Sequence, residues 1–176
     1  MSVEIKRKNE KKKIEYKGVV KYGIPRQSST RKSKKESKDK NKSSNTLTNA
    51  EILAILEKGS IVNNLPARPL LKPVMEKHKD EIKKILKNVC SQIVFDNKQE
   101  ADRLMNLLAF KMETWTKAYF TEDNGWAPNA PITINGDWMK NKVSGKPVYI
   151  KGKKSDRPMI DTGELRRSIR GLFLKE

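Results

Sequence analysis

The chain has 176 residues, 39 Lys+Arg against 21 Asp+Glu, a formal net charge of +18, 35% hydrophobic and 6% aromatic residues; this length suits one domain, alone or with an unstructured segment. No apolar run approaches the roughly 18 residues of a membrane span, and the basic start MSVEIKRKNEKKK has no apolar stretch behind it of the kind a signal peptide carries. A single cysteine, Cys90, excludes an internal disulfide framework and fits a reducing cytoplasm, and with only His78 beside it most zinc sites are excluded, so the expectation is a soluble, intracellular, basic protein.

Residues 1–13 read as a basic tail, and 14–176 as one domain carrying a disordered or mobile basic loop at 26–45. Ile14 to Ile24, IEYKGVVKYGI, has the β-branched and aromatic residues and partial alternation of a strand, which Gly23 and Pro25 end. Residues 1–45 hold 16 basic and 5 acidic residues, a net of +11. The densest piece is RKSKKESKDKNK, with Arg31, Lys32, Lys34, Lys35, Lys38, Lys40 and Lys42 and no apolar residue. Such a stretch cannot bury surface. It serves either as a solvated, solubilising loop or as a contact to nucleic acid phosphates. No aromatic is interleaved with these lysines, so any nucleic acid contact there is electrostatic and independent of base sequence.

Thr46 to Lys58 reads as a helix. Thr48 or Asn49 caps it, Glu51 lies in the first turn, and Ile52, Ile55 and Leu56 form an apolar stripe. Gly59 falls where a left-handed terminator is expected. Three prolines within NNLPARPLLKP forbid a regular helix there. Pro73 then opens a helix to about Val94, with Val74, His78, Ile82, Ile85, Val89 and Ile93 on its apolar face. Asp96 or Asn97 caps another over about 98–121, with Leu104, Leu107, Leu108, Met112, Trp115 and Tyr119 inward. Beyond Asp123 the chain is rich in Gly, Pro and Asn. Short extended pieces are predicted at Ile132–Ile134 and Val148–Lys151, a helical turn capped by Thr162 at Glu164–Ser168, and a closing strand at Ile169–Leu174. The class is α+β: a small antiparallel sheet packed against two long helices, with extended Pro-rich loops.

Few residues suggest chemistry. Asp161-Thr162-Gly163 matches the aspartic-protease triplet, but charged, helix-prone ELRRS follows at once and no second triplet exists in the chain; two carboxylates sharing a proton are needed. A helix cap is the better reading. His78, on an apolar face, reads as a packing residue and Cys90 as buried. The glycines have no phosphate-cradling spacing. Trp115, Trp126 and Trp138 are candidates for a binding face; the better reading makes Trp115 core and Trp126 the residue that pins the Pro-rich loop. No constellation supports catalysis, and no cofactor or metal is expected.

Three stretches, taken in order, carry a resemblance. They are LTNAEILAILEKG followed by LPARPLLKP (Leu47–Gly59 and Leu65–Pro73), WAPNAPITI (Trp126–Ile134) and PMIDTGELRRSI (Pro158–Ile169), with Tyr22-Gly23-Ile24-Pro25 ahead of them. Together, over about residues 16–172, they resemble the tail-completion, or virion-morphogenesis, proteins of tailed bacteriophages. Two packing positions depart from that pattern: Leu56-Glu57-Lys58-Gly59 lacks the usual aromatic, and Leu70 replaces another in Arg68-Pro69-Leu70-Leu71.

The resemblance implies a structural, non-enzymatic virion protein of the neck or tail top, made in the host cytoplasm and assembling into a sixfold ring around the DNA channel. Its implied partners are copies of itself, head-completion or connector proteins, tail-tube or tail-terminator proteins, and packaged DNA, with no membrane. On this reading the proline-fixed segment presents Leu70 and Leu71 to a neighbour; the alternative is that this segment and the 158–169 stretch only brace the domain's own core. Arg68 beside Pro69 forms a bidentate pair with a carboxylate of its own chain or a partner. Asp161, Glu164, Arg166 and Arg167 join the docking surface, and the loop of Arg31 to Lys42 faces DNA or an acidic partner. The competing class is a free basic nucleic-acid-binding protein.

Overall fold

The structure, a computed structural model, describes residues 16–25, 47–62, 64–141, 144–154, 156, 158–159 and 163–175. Its elements in order are β1 (Gly18–Gly23), α1 (Asn49–Lys58), α2 (Leu71–Lys77), α3 (Lys79–Val94), α4 (Lys98–Tyr119), α5 (Pro131–Asn135), β2 (Gly136–Lys140), β3 (Pro147–Lys151), α6 (Glu164–Ser168) and β4 (Arg170–Lys175). The class is α+β, with two small antiparallel sheets, β1–β4 and β2–β3. The basic segment 26–45, and with it Arg31 to Lys42, lies outside the described residues.

The 22 residues of α4 form the spine. Asn97 caps it, its side chain accepting the N–H of Glu100. Its buried residues Ala101, Met105, Leu108, Ala109, Met112 and Thr116 recur at helical steps and make one stripe. Against this stripe pack Ile85 and Val89 of α3, with Val20, Tyr22 and Phe173 from the sheet and Tyr16 just ahead of β1. A second core gathers Leu53, Leu70, Val74, Phe120, Leu165 and Ile169. Trp115 touches both cores and joins them.

The sheet closes the chain on itself, for β1 pairs with β4 from Gly18↔Lys175 to Gly23↔Arg170. One face, with Val20 opposite Phe173 and Tyr22 opposite Gly171, lies on the helices. At Gly171 the strand crosses so close to α4 that a Cβ would stand 1.9 Å from the carbonyl oxygen of Ala109. Asp102 of α4 ties down the approach to β1 and the end of β4: Tyr16 Oη, two residues ahead of β1, donates to its Oδ1 at 2.8 Å, and Lys175 Nζ donates to its Oδ2. Burial first, then this carboxylate, push the Tyr16 phenol up to about 12.

Five expectations are corrected. The helix expected from Pro73 to Val94 begins at Leu71 and is divided at His78, whose φ of −104° and ψ of 14° leave helical values. The ladder bends without breaking, since His78 N–H donates to Val74 O and Ile82 N–H donates to His78 O. Cys90 is exposed, because it lies about 100° around α3 from Val89, off the buried stripe. Leu107, next to Leu108, is likewise exposed. Ile132–Ile134 is helical within α5, not extended. Pro131 occupies the first turn and Gly136 follows at φ 79°, so the flanking punctuation overrides the β-branched residues between. The strand β2, read from sequence as loop, then pairs with the expected extended piece at 148–151.

Candidate functional site

The three motif stretches, far apart in sequence, meet at one junction. In α1, Thr48 is the cap and Glu51 completes a capping box. Gly59, at φ 71°, turns the chain back over the end of α1; a Cβ there would stand 2.7 Å from Ala67 N. The returning segment is fastened by Arg68 N–H to Leu56 O at 2.7 Å. Glu57 then reaches across: its Oε1 accepts the N–H groups of Leu70 and Leu71 at 2.8 and 2.7 Å. A carboxylate there satisfies donors that the first turn of α2 leaves open. The motif's prolines, lacking N–H groups, lie where the ladder does not need them.

Arg68 laces this segment to the second motif. Its Nε and Nη2 donate to Ala127 O at 3.2 and 3.0 Å, and Nη2 also reaches Pro128 O at 3.2 Å and Asn129 Oδ1 at 3.4 Å. The side chain is buried, and that burial lowers the guanidinium pKa. In the reverse direction, Trp126 Nε1–H donates to Pro69 O at 2.9 Å. The indole also meets Tyr119 and Phe120 edge-on. Trp126 therefore does pin the Pro-rich loop, and it pins it onto LPARPLLKP.

The third motif enters from below. Gly163, left-handed at φ 71°, precedes α6, and Leu165 and Ile169 drop into the core beside Leu70. Arg166 Nε donates to Lys117 O in the last turn of α4 at 2.8 Å, where a cation suits the helix dipole. Nearby, burial pushes the Glu113 carboxyl up, but Lys117 Nζ, the Gly171 N–H and the charge of Arg170 outweigh it and hold the group below the usual carboxylate range. Between α1, residues 64–68 and 128–133, and Met159 and Leu165 lies an open cleft of about 520 Å³. Asn49 lines it, 1% exposed, with no hydrogen-bond partner for its Oδ1 among the described residues.

These placements alter the docking expectation. Leu70 is fully enclosed by its own chain and Leu71 is half-buried against the same core, so Leu70 is not presented to a neighbour. Arg68 is satisfied by carbonyl and amide oxygens, and among the described residues no carboxylate pairs with it. Pro69 is exposed, Glu164 is half-buried, and Arg166 and Arg167 lie exposed on α6. Asp161 and Thr162 lie outside the described residues; the position before α6 is taken by Gly163, which forms no side-chain cap.

Two exposed apolar features stand out: the Ile61–Val62 tip, which the sequence reading missed, and the Trp138–Tyr149 pair, of which Trp138 alone was a candidate for a binding face. Ile61 and Val62, 100% and 87% exposed, tip the turn closed by the Ser60↔Leu65 bridge; an apolar pair running into Asn63-Asn64 was their signal. Trp138 and Tyr149 face each other across β2 and β3. Among the described residues no group of His, Cys, Asp and Glu could hold a metal ion, and no helix is long and apolar enough to cross a membrane. Compared with protein-family models, curated proteins and solved structures, the chain matches none of them.

Proposed function

We propose that this chain is a structural, non-enzymatic subunit of the head–tail junction of a tailed bacteriophage, a tail-completion protein forming a sixfold ring around the DNA passage. What supports the reading is that the three stretches carrying the resemblance, spread over residues 47–169, form one contact unit. Arg68 to Ala127, Trp126 to Pro69, and Leu165 beside Leu70 tie each to another. A pattern held together by contacts is what a shared subunit architecture leaves in a sequence. The ring's neighbours are connector and tail-tube or tail-terminator proteins, and its site of action is the virion neck. In this reading the segment 31–42 serves the DNA or an acidic partner surface.

The net charge of +18 favours a second reading, a free basic nucleic-acid-binding protein. Oligomeric state separates the two. Sedimentation and electron microscopy of purified protein, alone and mixed with isolated heads and tails, are expected to give rings and joined particles. A monomer that joins nothing yet retards DNA at low salt decides for the second reading. Deleting 31–42 is expected to leave folding intact and to lower the yield of filled particles; normal yields of infectious particles remove the role given to that segment.

A further inference from the structure

We propose that the β2–β3 hairpin is a binding platform for single-stranded nucleic acid, separate from the basic segment 31–42. The register pairs Trp138 with Tyr149, Lys140 with Pro147, and Gly136 with Lys151. Alternation along each strand puts Trp138, Lys140, Tyr149 and Lys151 on one face, and Asp137, Met139, Val148 and Ile150 on the other. The two rings touch, with centroids 5.4 Å apart, yet remain 65% and 53% exposed. A lysine follows the aromatic pair at either end, the two lying about 14 Å apart along the strands. Neither Lys140 nor Lys151 has an ion-pair partner among the described residues.

The surroundings carry the same sign. Residues 136–154 hold six lysines and a single acid, Asp137. That carboxylate belongs to the opposite face and accepts the N–H of Trp138. Exposed rings bracketed by cations are complementary to unpaired bases joined by phosphates: bases stack on the rings while lysines meet the backbone. A duplex offers the lysines the same phosphates but keeps its bases stacked on one another, so the rings favour the single strand. The basic segment 31–42, without aromatics, has no such preference.

The test uses the full chain and fluorescently labelled oligothymidylate, oligouridylate and duplex DNA of matched length, read by anisotropy across a salt series. Tighter binding of either single strand than of duplex is expected. Trp138→Ala with Tyr149→Ala is expected to lower single-strand affinity about tenfold or more while duplex binding stays unchanged. Trp138→Phe with Tyr149→Phe keeps the rings and is expected to keep the preference. Lys140→Ala with Lys151→Ala is expected to reduce the salt slope for the single strand by about 1.4. Equal binding of single strand and duplex by the unaltered chain overturns the proposal. So does an alanine pair that leaves single-strand affinity intact, or that changes only sedimentation, which makes the face a contact between copies. Rings that bind no single strand leave the head–tail reading standing and remove only this one.

Discussion

The imidazole of His78 lies flat on the indole of Trp115, ring centroids 4.0 Å apart and planes within 1° of parallel. The stack sits at the bend between α2 and α3, against the side chain that joins the two cores. Burial is the first cause lowering the His78 pKa; Lys77 and Lys111 add to it, while Glu81 and Glu122 oppose. An unfolded imidazole titrates near 6.5, so between that value and the lower folded one the unfolded chain binds more protons. The contribution is therefore complete above about pH 6.5 and is lost as pH falls through the folded value. Melting temperatures at about pH 7.5 and about pH 5 are expected to differ more for the native chain than for His78→Phe, which keeps a ring but not the titration. Equal differences count against this assignment.

Arg68 is expected to matter through its fork. Arg68→Ala leaves the carbonyls of Ala127 and Pro128 without their donor and is expected to cost about 2–4 kcal/mol in urea denaturation. Arg68→Lys keeps the charge but not the planar donor set, and is expected to recover less than half of that loss. An alanine variant as stable as the native chain would show that the two Pro-rich segments are held by packing alone.

Gly171 is set by a backbone crossing. Because a Cβ there meets Ala109 O at 1.9 Å and main chain cannot move aside like a side chain, Gly171→Ala is expected to destabilise by about 3 kcal/mol or more. It should also weaken the Gly171 N–H to Glu113 Oε2 bond. Hydrogen exchange localised to β4 and β1 checks this; unchanged protection of both strands speaks against it.

Leu70 and the Ile61–Val62 tip separate packing from docking. Leu70, 0% exposed, is expected to cost about 2–5 kcal/mol when truncated to Ala. Ile61→Ser with Val62→Ser is expected to change stability by no more than about 0.5 kcal/mol. If the tip meets a neighbouring subunit, the same double variant lowers ring formation. Sedimentation velocity distinguishes the cases, and rings of normal abundance exclude the tip from the interface.

Local signals made much of the scaffold legible in the sequence. Thr48, Glu51 and Gly59 bound α1 because a cap, a carboxylate in the first turn and a positive φ are requirements met within a few residues. The stripe on α4 is legible because burial of one helical face repeats at 3.6 residues, although Leu107 and Cys90 show that an apolar residue beside a stripe need not belong to it. The convergence of the motif stretches was not legible, since no local rule says which carbonyls a buried guanidinium will find some 60 residues away.

From spacing and composition alone follow the α+β class, the bounds of α4 and the end of α3 to within a few residues, and the place where the charge is concentrated. Tertiary structure alone decided that Leu70 and Arg68 face inward, that α2 and α3 bend at His78, and that Trp138 and Tyr149 stand in the open beside lysines. The physical reason is that exposure depends on what packs against a residue. A β-strand alternates its side chains whether or not anything covers them; only the path of the rest of the chain leaves the hairpin's aromatic face uncovered.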